Sequence, residues 1–510
     1  MNINIDNLQA EEFRLQQLAN YLFGQSRASV GTSPSGIRLP DTGNVVNMKA
    51  PQTALPDPHF PSGGSGATDL AKLSTLSQLP IFDYMQYHQD YYFLKDRPVA
   101  QLPEMGNFPV DVLRKEFPIL QEYVNGRPLV WLDNAATTQK PSCVIERISQ
   151  FYRKENSNIH RAAHQLAARA TDAYESARES VRSFINAGSS NEIVFVRGTT
   201  EGINLVAYTL GAGYLKSGDQ VLISNLEHHA NIVPWQQLRE RIGIELVVIP
   251  VDDSGQIDME AYKNLLTSKV KLVSFVQVSN ALGTITPAKK MIQWAHAAGA
   301  KVLLDGAQSV SHMPIDLQEL KPDFFVFSGH KVFGPTGIGV LYIQNDTLDE
   351  LPAWQGGGNM IRDVRFDNTT YQNGHARFEA GTGNIADAVG LGAALEFLRT
   401  IGMHSIAAYE HQLLLYATEK LKQVPGLEII GKAADKASVL SFTLADFSNE
   451  SVGKHLDEHG IAVRTGHHCA QPILRRFGQE TTVRPSLAFY NTKEEIDWLQ
   501  DALFKLISQR

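Results

Sequence analysis

The stretch that decides the fold is DFFVFSGHKVFGPTGIGVLYI, residues 323–343. Two apolar runs of strand length flank a polar turn that carries Ser328, His330 and Lys331. Neither run alternates apolar and polar residues, and a near-continuous apolar run is typical of a strand buried on both faces of a sheet. We therefore predict a covered sheet, with a lysine at the edge where one strand ends.

The same pattern extends on the N-terminal side of this stretch. The apolar runs are IVFV (193–196), QVLIS (220–224), IELVVIP (244–250), VKLVSFVQV (270–278), KVLLD (301–305), DFFVFS (323–328) and IGVLYI (338–343). Helical stretches such as PAKKMIQWAHAAGA (287–300) lie between several of them. Strands that alternate with helices predict an α/β fold whose sheet is mostly parallel and is covered by helices on both faces.

Three regions follow from the change of pattern along the chain. Residues 106–385 form the predicted large domain. A long helical stretch, residues 388–423, then leads into a smaller α+β region, so residues 386–510 are the predicted small C-terminal domain. Residues 1–105 are the third region and lack this organisation.

The first 105 residues have the composition of a tail. Residues 8–22 show helical spacing, and an apolar-aromatic stretch covers residues 70–94. Between them the chain is rich in Gly, Pro, Ser and Thr without periodicity, which is typical of disordered linkers. Two interpretations stay open, a tail that recruits a partner and a tail that packs on its own globular domain.

The bulk composition excludes several classes of protein. A formal net charge of -8 gives no electrostatic reason to expect binding to nucleic acid or to an anionic membrane. Two cysteines in 510 residues form no disulfide framework, which favours a reducing compartment. The N-terminus lacks the basic and apolar regions of a secretory signal, and no apolar run reaches the length of a membrane span. We expect a cytoplasmic protein.

Polar clusters follow the predicted strands, at the edge where open α/β sheets bind ligands. They are Arg197–Gly202, Asn225–Asn231, Ser279-Asn280, Asp305–Gln308 and Ser328–Lys331. Each cluster alone is a weak signal. Five of them at strand ends predict one site.

Lys331 and Asp305 together point to pyridoxal 5'-phosphate (PLP). A lysine beside apolar walls loses its proton readily and attacks a carbonyl as an amine. The alternative for Lys331 is an ordinary surface lysine. That alternative leaves Asp305 unexplained, because an aspartate at the end of an apolar strand is costly to bury without a partner. The protonated ring nitrogen of PLP would be such a partner.

The remaining cofactor contacts follow from the other clusters. Thr199 and Thr200 precede a helical run, whose free N–H groups favour the phosphate, although an isolated Gly-Thr-Thr is usually an ordinary helix cap. We expect Ser328 and His330 to add donors to the phosphate. His228 is predicted to lie flat on the ring with Gln308 near the ring oxygen.

We expect no metal at this site. His228 and His229 are adjacent, so their side chains diverge, and the sequence has no C-x-x-C or H-x-x-x-H spacing. Cys469, in RTGHHCAQP (464–472), leaves four alternatives open on its own: a metal ligand, half of a disulfide with Cys143, a packed thiol or a nucleophile.

Taken together, the motifs resemble the SufS-like (group II) cysteine desulfurases, which are PLP enzymes of fold type I and class V. The matching stretches run from about residue 110 to the C-terminus and include WLDNAATTQKP, VFVRGTTEGINLVA, LEHHANIVPWQ, FSGHKVFGPTGIGVLY, RFEAGTGN, VRTGHHCAQP and RPSLAFYNTKEEID. The resemblance implies a homodimer that takes sulfur from L-cysteine and passes it to an acceptor protein or thiol.

The resemblance also implies roles for the matched positions. Lys331 would carry PLP and shuttle a proton, and Cys469 would take the sulfur as a persulfide while L-alanine leaves. Arg484, aided by Asn280, would bind the substrate carboxylate, which suits a planar guanidinium, and Arg464 would also contact the substrate. Thr382 would reach the phosphate in the other subunit. A Cys143–Cys469 disulfide is disfavoured because it would cap the nucleophile.

The tail departs from ordinary members of that family. Residues 1–105 resemble the N-terminal tails of desulfurases carried as cargo inside encapsulin shells, which implies docking to a shell and a place inside such a nanocompartment. Three other functions stay open. A selenocysteine lyase and another class-V enzyme share the fold, and a non-catalytic scaffold or shell-cargo protein would keep it only for binding.

Overall fold

The computed structural model describes residues 108–159 and 164–509. The helix predicted within residues 8–22 and the apolar-aromatic stretch at 70–94 lie outside these ranges. The account of the fold concerns the described residues alone.

Strands occupy the positions that the apolar runs predict, with additional short ones near both ends. They are β1 (Tyr123–Val124), β2 (Arg127–Pro128), β3 (Val130–Trp131), β4 (Ile193–Val196), β5 (Gln220–Ser224), β6 (Glu245–Ile249), β7 (Val270–Val276), β8 (Lys301–Asp305), β9 (Phe324–Ser328), β10 (Gly339–Ile343), β11 (Ile361–Val364), β12 (Thr369–Tyr371), β13 (Leu427–Ile430), β14 (Ser441–Leu444), β15 (Ile461–Ala462), β16 (Arg464–Gly466) and β17 (Thr482–Arg484).

Helices alternate with the strands of the middle region and dominate the C-terminal one. They are α1 (Val110–Arg114), α2 (Ser142–Lys154), α3 (Gln165–Phe184), α4 (Thr199–Gly213), α5 (Val233–Ile242), α6 (Met259–Leu265), α7 (Ala288–Ala297), α8 (Leu317–Leu320), α9 (Asn345–Glu350), α10 (Ile385–Ile401), α11 (Met403–Lys422), α12 (Asn449–Glu458), α13 (Gln471–Arg476) and α14 (Lys493–Ser508).

Seven strands form the central sheet in the order β4-β10-β9-β8-β7-β5-β6. Strands β6, β5, β7, β8 and β9 pair in parallel, whereas β10 is antiparallel to both of its neighbours. The prediction of a mostly parallel sheet is confirmed. The polar clusters that follow β5, β7, β8 and β9 lie at the carboxyl edge of this sheet.

Both faces of this sheet are buried, as the unbroken apolar runs predict, except at the edge strand β6, where Glu245 and Val248 are exposed. Successive side chains of a strand point to opposite faces. Along β9, Phe324 and Val326 join the apolar core that contains α4 and α5, whereas Phe325 and Phe327 join the core on the opposite face. This double covering is why the inner strands of the sheet show no amphipathic pattern.

A second sheet lies in the C-terminal region, with the order β13-β14-β17-β16. Helix α14 packs against α11 and α12. The short strand β3 pairs in parallel with β15, so the segment that begins at residue 130 joins this C-terminal region. This pairing brings the residues after β3 close to those around β16 and β17.

The long helical stretch predicted over residues 388–423 is two helices. Helix α10 ends at Ile401 and α11 begins at Met403, with Gly402 between them at φ 92°. An L side chain rarely adopts this backbone conformation, and glycine does so without a steric cost. The predicted helical stretch therefore contains a break, which the sequence does not show because a helical pattern of apolar residues continues across it.

Within residues 108–159 and 164–509, none of the helices combines the length and the apolar character that a membrane crossing requires.

Candidate active site

One cavity of about 220 Å³ opens at the carboxyl edge of the central sheet. Twelve of the thirteen residues predicted for the site line it: Thr199, Thr200, His228, Asn280, Asp305, Gln308, Ser328, His330, Lys331, Arg464, Cys469 and Arg484. Ala135, Ala136, Ala230, Val276, Ala307 and His468 complete the lining. The cavity therefore joins residues from the middle of the chain to residues near its C-terminus.

Lys331 stands on a short 3-10 turn, Gly329–Lys331, directly after β9. The carbonyl of His330 accepts hydrogen bonds from the backbone N–H of Thr138 at 3.0 Å and from the hydroxyl of Thr137 at 3.0 Å. The Thr138 hydroxyl accepts a bond from the backbone N–H of Phe333 at 2.7 Å. The segment after β3 thus fixes the turn that carries the lysine.

Burial lowers the pKa of Lys331 to about 8, although the charge of Asp305 opposes that shift. Asp305 ends β8 and is 2% exposed, and burial raises the pKa of its carboxyl while Lys331 lowers it. The carboxylate accepts the backbone N–H of Ala307 at 2.8 Å. A substantial share of the lysine is therefore neutral near pH 8, the form in which an amine attacks a carbonyl.

The N-terminus of α4 faces the turn after β9. The backbone N–H of Thr199 donates to Ser328 Oγ at 2.9 Å, and the two hydroxyls lie 2.9 Å apart. A Cβ on Gly339 of β10 would lie 2.5 Å from Gly198 Cα, so glycine is needed for this close approach. Free N–H groups at such a helix start attract an anion. Thr200 and His330 also line the cavity.

His228 and Gln308 are both held by backbone groups. His228 Nδ1 accepts the N–H of Ala230 at 3.0 Å, and burial together with Lys331 lowers its pKa to about 3. The ring is therefore neutral with its proton on Nε2. Gln308 is 2% exposed and donates from Nε2 to the carbonyl of Ala135 at 2.7 Å.

Arg484 is a buried guanidinium at 2% exposure. It donates to the carbonyl of Asn280 at 2.9 Å and to Asp133 Oδ1 at 3.1 Å. Burial lowers the pKa of Arg484 to about 10, although Asp133 opposes the shift. Arg464 lies across the same carboxylate, 3.7 Å from Asp133 Oδ2. The two arginines form a cationic wall that suits a substrate carboxylate.

Cys469 lies on the loop between β16 and α13, with its backbone at φ 53° and that of His468 at φ 51°. Its N–H donates to His467 Nδ1 at 3.0 Å, and its carbonyl accepts the N–H of His229 at 2.7 Å. Cys143 and Cys469 are both free thiols. Burial raises the pKa of Cys143 to about 11, so that thiol is not a ready nucleophile.

Thr382 lies apart from the other predicted residues. It lines a second cavity of about 550 Å³, and its Oγ1 is 3.4 Å from Asn158 Oδ1. Tyr174, Phe195 and Trp354 also line that cavity. Thr382 is predicted to contact the phosphate in the other subunit. Its separation from the first cavity of the same chain is compatible with that prediction.

The segment after β3 supports the site through contacts that the sequence does not reveal. Asp133 pairs with the two arginines, and Lys140 donates to the carbonyl of His330 at 3.2 Å. Burial lowers the pKa of Lys140 to about 8. WLDNAATTQKP matches a motif of the family, but nothing in its pattern indicates that Lys140 contacts a residue 190 positions away.

The cavity fits PLP on the chemistry of its groups. It offers an amine for the aldehyde at Lys331, a buried carboxylate for the ring nitrogen at Asp305, and a helix N-terminus for the phosphate. Asn280 Oδ1 and Arg484 Nε are buried and have no hydrogen-bond partner within the described ranges. Such atoms at the cavity wall are ready to bind a polar ligand.

Comparison with known proteins agrees with this chemistry. Residues 130–499 match the Aminotransferase class-V family. The chain belongs to that family. It is a PLP-dependent family, so the cofactor follows from membership as well as from the cavity.

The most similar curated relatives include cysteine desulfurases of two bacteria. The protein of Synechococcus elongatus is 65% identical over 399 residues, which cover 78% of this chain and 64% of that protein. The protein of Pectobacterium atrosepticum is 49% identical over 401 residues, which cover 78% of this chain and 98% of that one. The chain therefore spans nearly all of one relative and less than two thirds of the other.

A solved structure repeats the fold. The cysteine desulfurase CsdA of Escherichia coli is 38% identical, with a TM-score of 0.74 over 79% of this chain and 99% of that one. The resemblance to PLP enzymes of fold type I, predicted from the motifs, is confirmed for the fold.

Proposed function

We propose that this chain is an L-cysteine desulfurase of the SufS-like group. It converts L-cysteine to L-alanine and holds the sulfur as a persulfide on Cys469, from which an acceptor protein or thiol takes it. The single observation that carries the proposal is that Lys331 and Cys469 line one cavity with Arg484. An amine, a thiol and a carboxylate-binding group can then contact the same small amino acid.

In this proposal Lys331, Asp305, Gln308 and His228 would hold PLP, and the start of α4 would hold its phosphate. Thr199, Thr200, Ser328 and His330 are the phosphate ligands. Bound PLP supplies an electron sink that weakens bonds near the α-carbon of the substrate. Lys331 lines the same cavity and would move the proton at the α-carbon of the substrate. Its low pKa supports this role, because the amine accepts and returns a proton near neutral pH.

The substrate is held at its carboxylate and attacked at its sulfur. Arg484 pairs with the carboxylate, with Asn280 and Arg464 beside it. The thiolate of Cys469 forms an S–S bond with the substrate sulfur while the Cβ–S bond breaks. The electron pair of the broken bond stays with the carbon skeleton, which takes up protons and leaves as L-alanine.

The chain is proposed to act as a homodimer in which Thr382 contacts the phosphate bound by the partner subunit. The hairpin β11–β12 supports a subunit contact, because it exposes Val364, Phe366 and Tyr371 to solvent. Apolar side chains clustered at a surface mark interaction sites. Sedimentation over a range of concentrations tests this proposal, and a strictly monomeric active enzyme would contradict it.

The domain boundaries and the location belong to the same proposal. Residues 106–385 would be the PLP-binding domain and residues 386–510 the small domain that carries Cys469. Residues 1–105 would dock the enzyme, in the cytoplasm, to the inside of an encapsulin shell. The composition of that segment and its resemblance to cargo tails support the docking role.

Product analysis of matched cysteine variants tests the activity. With L-cysteine and a thiol reductant, the wild-type chain should release sulfide and L-alanine in equal amounts. Cys469→Ser should keep the absorption band of bound PLP but release less than about one hundredth of the sulfide, because a hydroxyl does not accept sulfur. Cys143→Ser is the control and should keep wild-type turnover. Equal turnover in both variants would refute the proposal.

A further inference from the structure

Three side chains at the mouth of the first cavity form a cluster with metal-ligating chemistry. One ring nitrogen of His229, one ring nitrogen of His467 and Sγ of Cys469 all lie within 4.8 Å of one another. His467 is exposed, and the other two residues are half-buried. A cation from solvent can therefore reach all three.

This cluster differs from the pair of adjacent histidines, His228 and His229. The rings of His228 and His229 are 6.2 Å apart at 49°, and His228 turns into the cavity. His229 instead meets His467, with ring centroids 5.6 Å apart at 33°. The ligands come from positions more than 230 residues apart, so no sequence spacing reveals them.

Backbone hydrogen bonds already direct the lone pairs of both rings toward the cysteine loop. His467 Nδ1 accepts the N–H of Cys469 at 3.0 Å, and His229 Nε2 accepts the N–H of Gln471 at 3.3 Å. A nitrogen that accepts an N–H is unprotonated, which is also the state that binds a metal. The His229 N–H, which donates to the Cys469 carbonyl at 2.7 Å, keeps the two segments together.

We propose that His229, His467 and Cys469 form a binding site for a thiophilic divalent cation, with Zn²⁺ as the natural candidate. Two imidazoles and a thiolate match the ligand preference of Zn²⁺, and water fills the fourth tetrahedral position. Ideal bond lengths place the ligand atoms about 3.3–3.6 Å apart. The observed separations, all within 4.8 Å, therefore need to close by at most about 1.5 Å, which the exposed His467 side chain and the loop can supply.

Binding at this site would block the thiol reversibly. The cation takes the sulfur in place of the thiol proton, which passes to solvent. The cation also displaces the backbone N–H groups that donate to the two imidazole rings. Because these hydrogen bonds are lost, the affinity for the cation stays below that of a structural zinc site. The resulting inhibition of sulfur transfer rests on the proposed function, whereas the binding itself does not.

Titration of the full-length, PLP-loaded enzyme with Co²⁺ tests the binding directly. Added thiols are omitted because they compete for the metal. We expect the visible bands of tetrahedral Co²⁺ to saturate at one ion per chain and to disappear when Zn²⁺ replaces it. Over the same Zn²⁺ range, formation of L-alanine should fall, and a chelator should restore it.

Matched variants identify the ligands. Cys469→Ser should abolish the tetrahedral bands. His467→Asn keeps an oxygen that accepts the Cys469 N–H but lacks the ligand nitrogen, so Co²⁺ affinity should fall roughly tenfold or more. Cys143→Ser removes the other thiol and should bind as wild type. Unchanged binding in His467→Asn or Cys469→Ser would overturn the site.

The two proposals fail in distinguishable ways. A chain that binds Co²⁺ through these ligands but forms no L-alanine would contradict the proposed activity and leave the metal site standing. A chain that forms L-alanine but shows no tetrahedral Co²⁺ spectrum would contradict the metal site alone.

Discussion

Burial controls the acid–base chemistry of individual residues in the cavity. It lowers the pKa values of Lys331, His228 and His330 to about 8, 3 and 4, because water no longer stabilises their charged forms. The two histidines are therefore neutral at physiological pH. Positive charge at the site is concentrated instead on the arginines that bracket Asp133.

The lowered pKa of Lys331 predicts how the cofactor-free enzyme takes up PLP. Only the neutral amine attacks the aldehyde, so the rate of uptake should rise with pH up to about 8 and level off above it. An ordinary lysine would show the rise near its usual pKa of about 10.4. Stopped-flow absorbance over a pH series measures the rate. A rise that continues well above pH 9 would contradict the burial of this amine.

Sequence predicts residues well where their type and position carry the chemistry. Lys331 and Asp305 were found because each follows an apolar strand, and parallel strands end at the same edge. Asp133 and Lys140 were missed because their partners are Arg484 and His330, far along the chain. Such contacts depend on tertiary packing, which a local sequence pattern does not predict.

At the scale of elements, the strands of the central sheet follow from the apolar runs. Every run quoted from the sequence contains one strand, because a strand buried on both faces needs an unbroken apolar segment. Helix ends are less visible. The break at Gly402 depends on a single backbone conformation within a stretch whose apolar spacing favours a continuous helix.

A glycine-to-alanine pair tests this account of the helix break. Gly402→Ala should destabilise the protein by roughly 1–2 kcal/mol, because alanine is strained at φ 92°. Steric contact adds little, since the new Cβ would lie 3.8 Å from Ser405 Oγ. The change should appear as a lower melting temperature in thermal unfolding.

Gly213→Ala is the matched control. This glycine ends α4 without a positive φ, and a Cβ there meets nothing within 4 Å. Its melting temperature should stay at or slightly above wild type. Equal melting temperatures for Gly402→Ala and the wild-type protein would show that the break does not require glycine.

At the scale of the whole molecule, one cavity joins distant parts of the chain. The central sheet contributes Lys331 and Asp305, and the C-terminal region contributes Cys469 and Arg484. Pairing of β3 with β15 and the bond between His229 and the cysteine loop hold these parts together. Sequence alone predicted the members of the site, but their meeting depends on this tertiary pairing.

Removal of residues 1–105 tests the proposal that this segment recruits the enzyme to a shell while the rest of the chain carries out catalysis. The family match begins at residue 130, so the truncated chain should fold, keep the PLP band and retain turnover within about twofold of wild type. It should lose recruitment to an encapsulin shell in a co-expression and sedimentation assay. Loss of folding would favour a tail that packs on its own domain, and unchanged recruitment would refute the docking role.

The central claim is that Lys331 and Cys469 act on the same substrate molecule in one cavity. Peptide mass spectrometry after incubation with L-cysteine, without reductant, tests it most directly. We predict a mass gain of one sulfur atom on the peptide that contains Cys469, none on the peptide that contains Cys143, and no gain in Lys331→Ala. Sulfur on Cys143 alone, or an undiminished gain in Lys331→Ala, would contradict the claim.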